Sequence, residues 1–92
     1  MSDDRSELRT AAEKLHEARE GTDHADAAER LETYAEQVET MADADRGPDH
    51  GRLARLEHNL HDVQSDLDAD ATEAVKSALE HAQAYRSTVE GV

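Results

Sequence analysis

The sequence predicts an all-α protein, an antiparallel four-helix bundle built from two helical hairpins. Three observations carry that expectation. Apolar residues return at three- and four-residue spacing along four separate stretches, the period of a helix with one buried face. Gly21 and the Gly47-Pro48 pair punctuate those stretches where a helix has to stop. No window alternates as a strand does, since β-branched residues are few and never fall at every second position.

Helix 1 is expected at about 4–20, with Leu8, Ala12 and Leu15 as its stripe and Ala11 and Ala18 at the edge. Ser2 or Asp3 supplies an N-cap oxygen, and Gly21 stands where a left-handed C′ residue ends a helix. Helix 2 is expected at about 23–44. Thr22 or Asp23 caps it, with Asp26 in a place like that of a capping box. Its stripe is Ala27, Leu31, Ala35, Val38 and Ala42, with Tyr34 and Met41 alongside. At about 100° per residue, Leu31 lies about 140° round from Leu8. The two stripes face different ways, which favours a turn at Gly21 over one long helix.

Arg46-Gly47-Pro48-Asp49-His50-Gly51 is the clearest break. Helix 3, at about 49–67, then carries Leu53, Leu56, Leu60, Val63 and Leu67 in alternating three- and four-residue steps, a coiled-coil-like seam. Asp68-Ala69-Asp70 interrupts that register. Helix 4, at about 70–90, carries Ala71, Val75, Ala78, Leu79, Ala82, Tyr85 and Val89, ending before Gly91. Its register differs from that of helix 3 by only about 60°, so a kinked continuous helix is the alternative, giving three helices in all. The leucine seam and helix 4 are expected to form the firmest hairpin. The alanine-rich stripes of helices 1 and 2 pack on it, or are completed by a second copy.

The composition sets the terms for that core. Sixteen of the 33 apolar residues are alanine, and there is no Phe, Trp or Ile. About fifteen sizeable side chains remain, each worth ~1.5–3 kcal/mol when buried, against ~1–2 kcal/mol per residue for ordering the backbone. So lean a core points to a homodimer. The charge is equally lopsided: 23 acids face two Lys and eight Arg, for a net −13. Such a chain repels itself in dilute buffer. At 1 M salt the Debye length is ~3 Å and the repulsion largely disappears, so the profile is that of a protein built for molar salt. Four amphipathic stripes argue against the disordered acidic tail that this composition otherwise suggests. No apolar run approaches the ~20 residues of a membrane span. Met1–Arg5 lacks the basic start and apolar stretch of a secretory leader, so a cytoplasmic location is expected. The absence of cysteine removes disulfides, thiol catalysis and cysteine-based zinc sites.

The second half carries a resemblance. Gly51-Arg52-Leu53-x-x-Leu56-x-x-x-Leu60, then Ala71-x-x-Ala74-Val75-x-x-Ala78, then Ala84-Tyr85-Arg86, together resemble a group of small acidic haloarchaeal helical proteins of unassigned function. The resemblance covers about residues 51–86 and consists of helix register plus one Tyr-Arg pair. It implies a salt-loving archaeal cytoplasm and carries no activity or site to transfer.

Patterns that bear chemistry are few. Glu13-Lys14-Leu15-His16 is a Glu-x-x-His, but di-iron bundles need two such units and two further inward glutamates. Glu13 also lies about 140° off the stripe of helix 1. His58-x-x-His61 is the best metal pair, with Asp62 one turn beyond His58 and Glu57 one turn before His61. His81 joins only if packing brings it near. Two imidazoles hold Zn, Ni or Cu weakly, and both face away from the seam, so solvated histidines are the plainer reading. Arg46, His50, Arg52 and Arg55 gather at the start of helix 3, where free N–H groups attract an anion. The plainer reading there is a capped helix whose arginines pair with helix 2, since residues 22–45 hold eight acids and one base.

Glu29, Glu32, Glu36, Glu39 and Asp43 form a carboxylate row along helix 2. It reads either as a docking face for a basic protein, or an imitation of a DNA phosphate line, or as a solvated surface in high salt. Interaction candidates are the seam residues Leu53, Leu56, Leu60, Val63 and Leu67, with Tyr34 and Tyr85 at stripe edges. There is no Gly-x-Ser-x-Gly, no glycine-rich phosphate loop and no strongly basic face for nucleic acid. The expected function is a non-enzymatic interaction or self-association module for high salt, with no cofactor. An acidic regulator of a basic partner, and a weak metal or anion binder, are the alternatives.

Overall fold

Four helices form where the apolar stripes lie. In a computed structural model, which describes residues 5–44 and 49–88, α1 spans Ser6–Gly21, α2 Ala25–Asp43, α3 His50–Gln64 and α4 Ala69–Arg86. No strand occurs among the described residues. The continuous third helix does not form. After Gln64 the Asp66 and Leu67 N–H groups donate back to the Val63 and Gln64 carbonyls, at 3.0 and 3.2 Å. These i→i−3 bonds tighten the end of α3, and Asp68 takes the N-cap position of α4 in extended backbone.

The caps differ from those the sequence suggests. Ser2 and Asp3 lie outside the described residues, as do Val89 and Gly91, and Arg5 holds the N-cap position of α1. The Thr22 hydroxyl accepts from the His24 N–H at 3.2 Å, so it closes the turn instead of capping α2, whose N-cap is His24. Gly21 is the last residue of α1 and not a left-handed C′, for no described glycine has a positive φ. The chain leaves it through extended Thr22. Asp49 is the one N-cap with a side-chain bond, accepting from the Arg52 N–H at 2.9 Å. The end of α2 has no basic residue in its last turn, and α1 supplies the charge instead. The Arg5 guanidinium donates to the carbonyls of Met41 (3.1 Å), Ala42 (3.4 Å) and Ala44, and Arg9 donates to that of Ala42 (3.4 Å). Cations are favourable at this negative end of a helix.

Side-chain pairs fix the directions of the helices. Arg9 and Arg19 of α1 meet Asp43 and Glu32 of α2, Arg30 of α2 meets Asp62 of α3 and Asp66 in the turn after it, and Arg86 of α4 meets Glu57 of α3. Glu7 near the start of α1 meets His81 near the end of α4. Early residues pair with late ones at every seam, so neighbours run antiparallel in a closed ring, α1–α2–α3–α4. Twenty-one described side chains are buried, every one hydrophobic, in a single cluster. The radius of gyration is 12.6 Å, close to the ~12 Å expected of a compact chain this long.

The packing within that ring is unequal. The closest backbone approaches are between α1 and α4 and between α1 and α2, while α3 stands further from both neighbours. The expected firmest hairpin, α3 with α4, is therefore not the closest-packed pair. Side-chain size explains this. α1 buries Ala11, Ala12 and Ala18, α2 buries Ala27, Ala35 and Ala42, and α4 buries Ala71, Ala78 and Ala82. α3 buries only Leu53, Leu56, Leu60 and Val63, and branched side chains hold helix axes apart. Tyr85, expected at a stripe edge, is 2% exposed and among the largest buried side chains. Tyr34 does pack at the rim, and so does Leu67, which was expected to close the leucine seam but falls beyond the end of α3.

Two stability predictions follow from this geometry. A Cβ on Gly21 meets nothing within 4 Å and the residue is helical, so Gly21→Ala is expected to raise stability by about 0.4–1 kcal/mol in urea titration. Ala78→Leu, at a fully buried position of α4, is expected to cost about 1–3 kcal/mol by overpacking. A change within about 0.3 kcal/mol at Ala78 would show that the core around it is not closely packed.

Candidate functional site

The charged side chains form bridges across the seams of the bundle. Between α1 and α2, Arg9 lies 3.5 Å from Asp43, His16 lies 3.1 Å from Glu39, and Arg19 lies 3.6 Å from Glu32. Three members of the carboxylate row thus face cations or imidazole on α1. Between α2 and α3, Arg30 clamps Asp62 at 2.8 Å and Asp66 at 3.1 Å. A hydrogen bond to Tyr34 raises the Arg30 pKa above its ordinary value, and Asp62 adds to the effect. Between α3 and α4, Arg86 Nη1 bonds Glu57 at 2.9 Å, while its Nε donates to His50 Nδ1 at 3.3 Å. Between α4 and α1, His81 Nδ1 lies 2.9 Å from Glu7 Oε1.

These pairs engage several of the residues singled out from the sequence. His58 and His61 are exposed on α3. Asp62 and Glu57, their nearest carboxylates, are engaged by Arg30 and Arg86, and His81 is turned to α1. Among the described residues no group of three or more His, Asp or Glu is arranged to hold a metal ion. Glu13 is exposed, and its companion His16 is bound to Glu39. The seam residues Leu53, Leu56, Leu60 and Val63, with Tyr85, lie in the chain's own core, so an interface made of them would have to open the bundle. Leu67 and Tyr34 are partly covered by that core.

The anion cluster at the start of α3 is divided. Arg46 lies outside the described residues. His50 is an acceptor for Arg86 on the α4 side. The Asp49 carboxylate occupies the helix terminus where an anion would bind. Arg52 and Arg55 remain, both exposed. The expected pairing of these arginines with α2 is not made as a direct bridge. They line a groove of about 660 Å³ between α2 and α3, with Glu36, Thr33, Gln37 and Thr40 on its other wall and Met41, 7% exposed, at its base.

This groove is the feature that sequence reasoning missed. It exists because leucine-faced α3 stands off from α2. The available signal was the contrast between three buried alanines on α2 and none on α3. Its lining holds two arginines against Glu36 and Asp49, a balanced patch on a chain of net charge −13.

The Arg30 clamp yields a measurable expectation. Arg30 is about one-third exposed and Asp62 about two-thirds, so solvent screens the pair. A double-mutant cycle with Arg30→Gln and Asp62→Asn is expected to give a coupling of about 0.2–1 kcal/mol in low salt. The coupling should shrink toward zero at molar KCl. A coupling that persists undiminished would mean the pair is shielded from solvent.

The comparisons with known proteins leave the function open. No curated protein and no solved structure matches the chain. One family does match, over residues 1–88, nearly the whole length. The chain belongs to DUF7553, a family of unknown function.

Proposed function

We propose that this chain is a non-enzymatic helical interaction module that self-associates as a homodimer in a salt-rich cytoplasm. The reading of the source as haloarchaeal belongs to the same proposal. The observation that carries it is the separation of apolar and charged groups. The buried side chains of the described residues are all hydrophobic, and every charged one lies outside them. A chain so organised recognises other molecules with its surface.

Salt enters through the balance of that surface. Twenty-three acids on a 10.2 kDa chain repel one another over a Debye length of ~10 Å at 0.1 M but only ~3 Å at 1 M. The cross-seam bridges relieve part of the repulsion, and salt relieves the rest. The reason to expect a second copy has moved. All four stripes close on one another within the chain, so a dimer forms through the polar surface and not by completing the core. The acidic-regulator reading has less support, because Glu32, Glu39 and Asp43 already face α1.

Two measurements test the proposal. Light scattering in 2–3 M KCl is expected to give a dimer mass, and a strict monomer over a wide concentration range overturns self-association. Helical circular dichroism is expected to fall as salt is withdrawn. A full helical signal in salt-free buffer would remove the adaptation to salt.

A further inference from the structure

We infer that the α2–α3 groove is the face on which a second copy of this chain docks, an inference that rests on the self-association proposed above. Across a two-fold axis, Arg52 and Arg55 of each copy pair with Glu29 and Glu36 of the other.

The first ground is which cations are left over. Arg5, Arg9, Lys14, Arg19, Arg30 and Arg86 all have polar partners within the chain. Arg52, Arg55 and Lys76 have no ion-pair partner among the described residues. Lys76 lies outside the α2–α3 groove and has Glu73 and Glu80 within one turn on α4, whereas Arg52 and Arg55 stand one turn apart on the exposed wall of that groove. Where acids outnumber bases by more than two to one, two adjacent unpaired arginines form a position at which an incoming carboxylate meets attraction.

The second ground is repulsion elsewhere. Two bodies of charge −13 repel through any acid-rich face. The groove lining carries Arg52 and Arg55 against Glu36 and Asp49, and Asp49 already accepts the Arg52 N–H. The lining itself is balanced, so two copies meet less like-charge repulsion there than at an acid-rich face.

The third ground is self-complementarity. An isologous contact needs one patch that matches itself after a half-turn. Here the cations sit near the end of α2 and start of α3. Glu29 and Glu36, the row members without an α1 partner, lie further back along α2. The Arg30–Asp62 contact sets α2 against α3 so that Arg55 is about level with Gln37 and Arg52 with Thr40. A half-turn about an axis that crosses the groove obliquely near Glu36 carries Arg52 and Arg55 onto the Glu29–Glu36 stretch of the other copy. Met41 at the base of the groove and the aliphatic stems of the arginines supply apolar area to close it. The planar guanidinium suits such carboxylate contacts, which salt screens less once they are partly buried.

The test is the association state of four folded proteins in 2.5 M KCl, each checked by circular dichroism. They are the parent, Arg52→Glu/Arg55→Glu, Glu29→Arg/Glu36→Arg and the control Lys76→Glu. The parent and Lys76→Glu are expected to dimerise equally. Each double variant alone is expected to dimerise at least about tenfold more weakly, a loss of about 1.4 kcal/mol, while an equimolar mixture of the two recovers a dimer. A parental dimer unaffected by Arg52→Glu/Arg55→Glu overturns this face and leaves self-association standing. A monomeric parent overturns both. A monomeric parent that takes up inorganic phosphate in titration, and loses it with Arg52→Glu/Arg55→Glu, reassigns the groove to an anion.

Discussion

Close approach of α1 to its two neighbours is the constraint on which the rest of the structure depends. The chain has few large apolar side chains, and a bundle built from them alone would be poorly filled. Alanine solves this by letting backbones come together. Ala11, Ala12 and Ala18 on α1 lie among Ala27, Ala35 and Ala42 on α2 and Ala71, Ala78 and Ala82 on α4 in one buried cluster. At such distances backbone and Cβ atoms provide the dispersion contacts that longer side chains provide elsewhere. The leucines of α3 supply the bulk on the opposite side of the ring, and Tyr85 adds to it from α4.

The same geometry governs the charges. Because α1 lies close against α2, the short reach from Arg9, His16 and Arg19 is enough to meet Asp43, Glu39 and Glu32. Arg5 adds a cap for the end of α2. Individually these exposed pairs contribute little. Collectively they place cations beside the segment that holds more than half of the net charge. The acid row of α2 is therefore not a free stripe. One side of it belongs to α1, and the part left over is Glu29 and Glu36.

The helices were legible in the sequence because apolar periodicity reports which face of each is buried. The break after Gln64 was legible in Asp68-Ala69-Asp70, although register alone also permitted one continuous helix. The caps were less legible. Thr22 and Asp23 offer equally good oxygens, and the choice of His24 as N-cap depends on how α1 and α2 come together. Tyr85 was placed at a rim by its angle on α4, and angle alone does not report how far the neighbouring helices cover a side chain that long. The candidate site was least legible. A count of charge along 22–45 shows an acidic helix, but which acids are bridged is decided by the antiparallel register of α1. His50 reads as part of a basic cluster, yet the end of α4 turns it toward Arg86.

The groove between α2 and α3 joins the two halves of this physics. A bundle with alanine on all four helices would be tight all round and would bury no cleft. A bundle with leucine on all four would be loose all round. Placing alanine on three helices and leucine on the fourth concentrates the looseness at α3. At the α4 side, Arg86 closes the seam onto Glu57, which is only 16% exposed. At the α2 side, Arg30 closes the end near Asp62 and Asp66, and the opposite end stays open beside Arg52 and Arg55. The open end is thus set by where the single clamp falls. A second clamp nearer the start of α3 would neutralise those arginines and fill the opening, and the chain would then have no balanced face to offer a copy of itself.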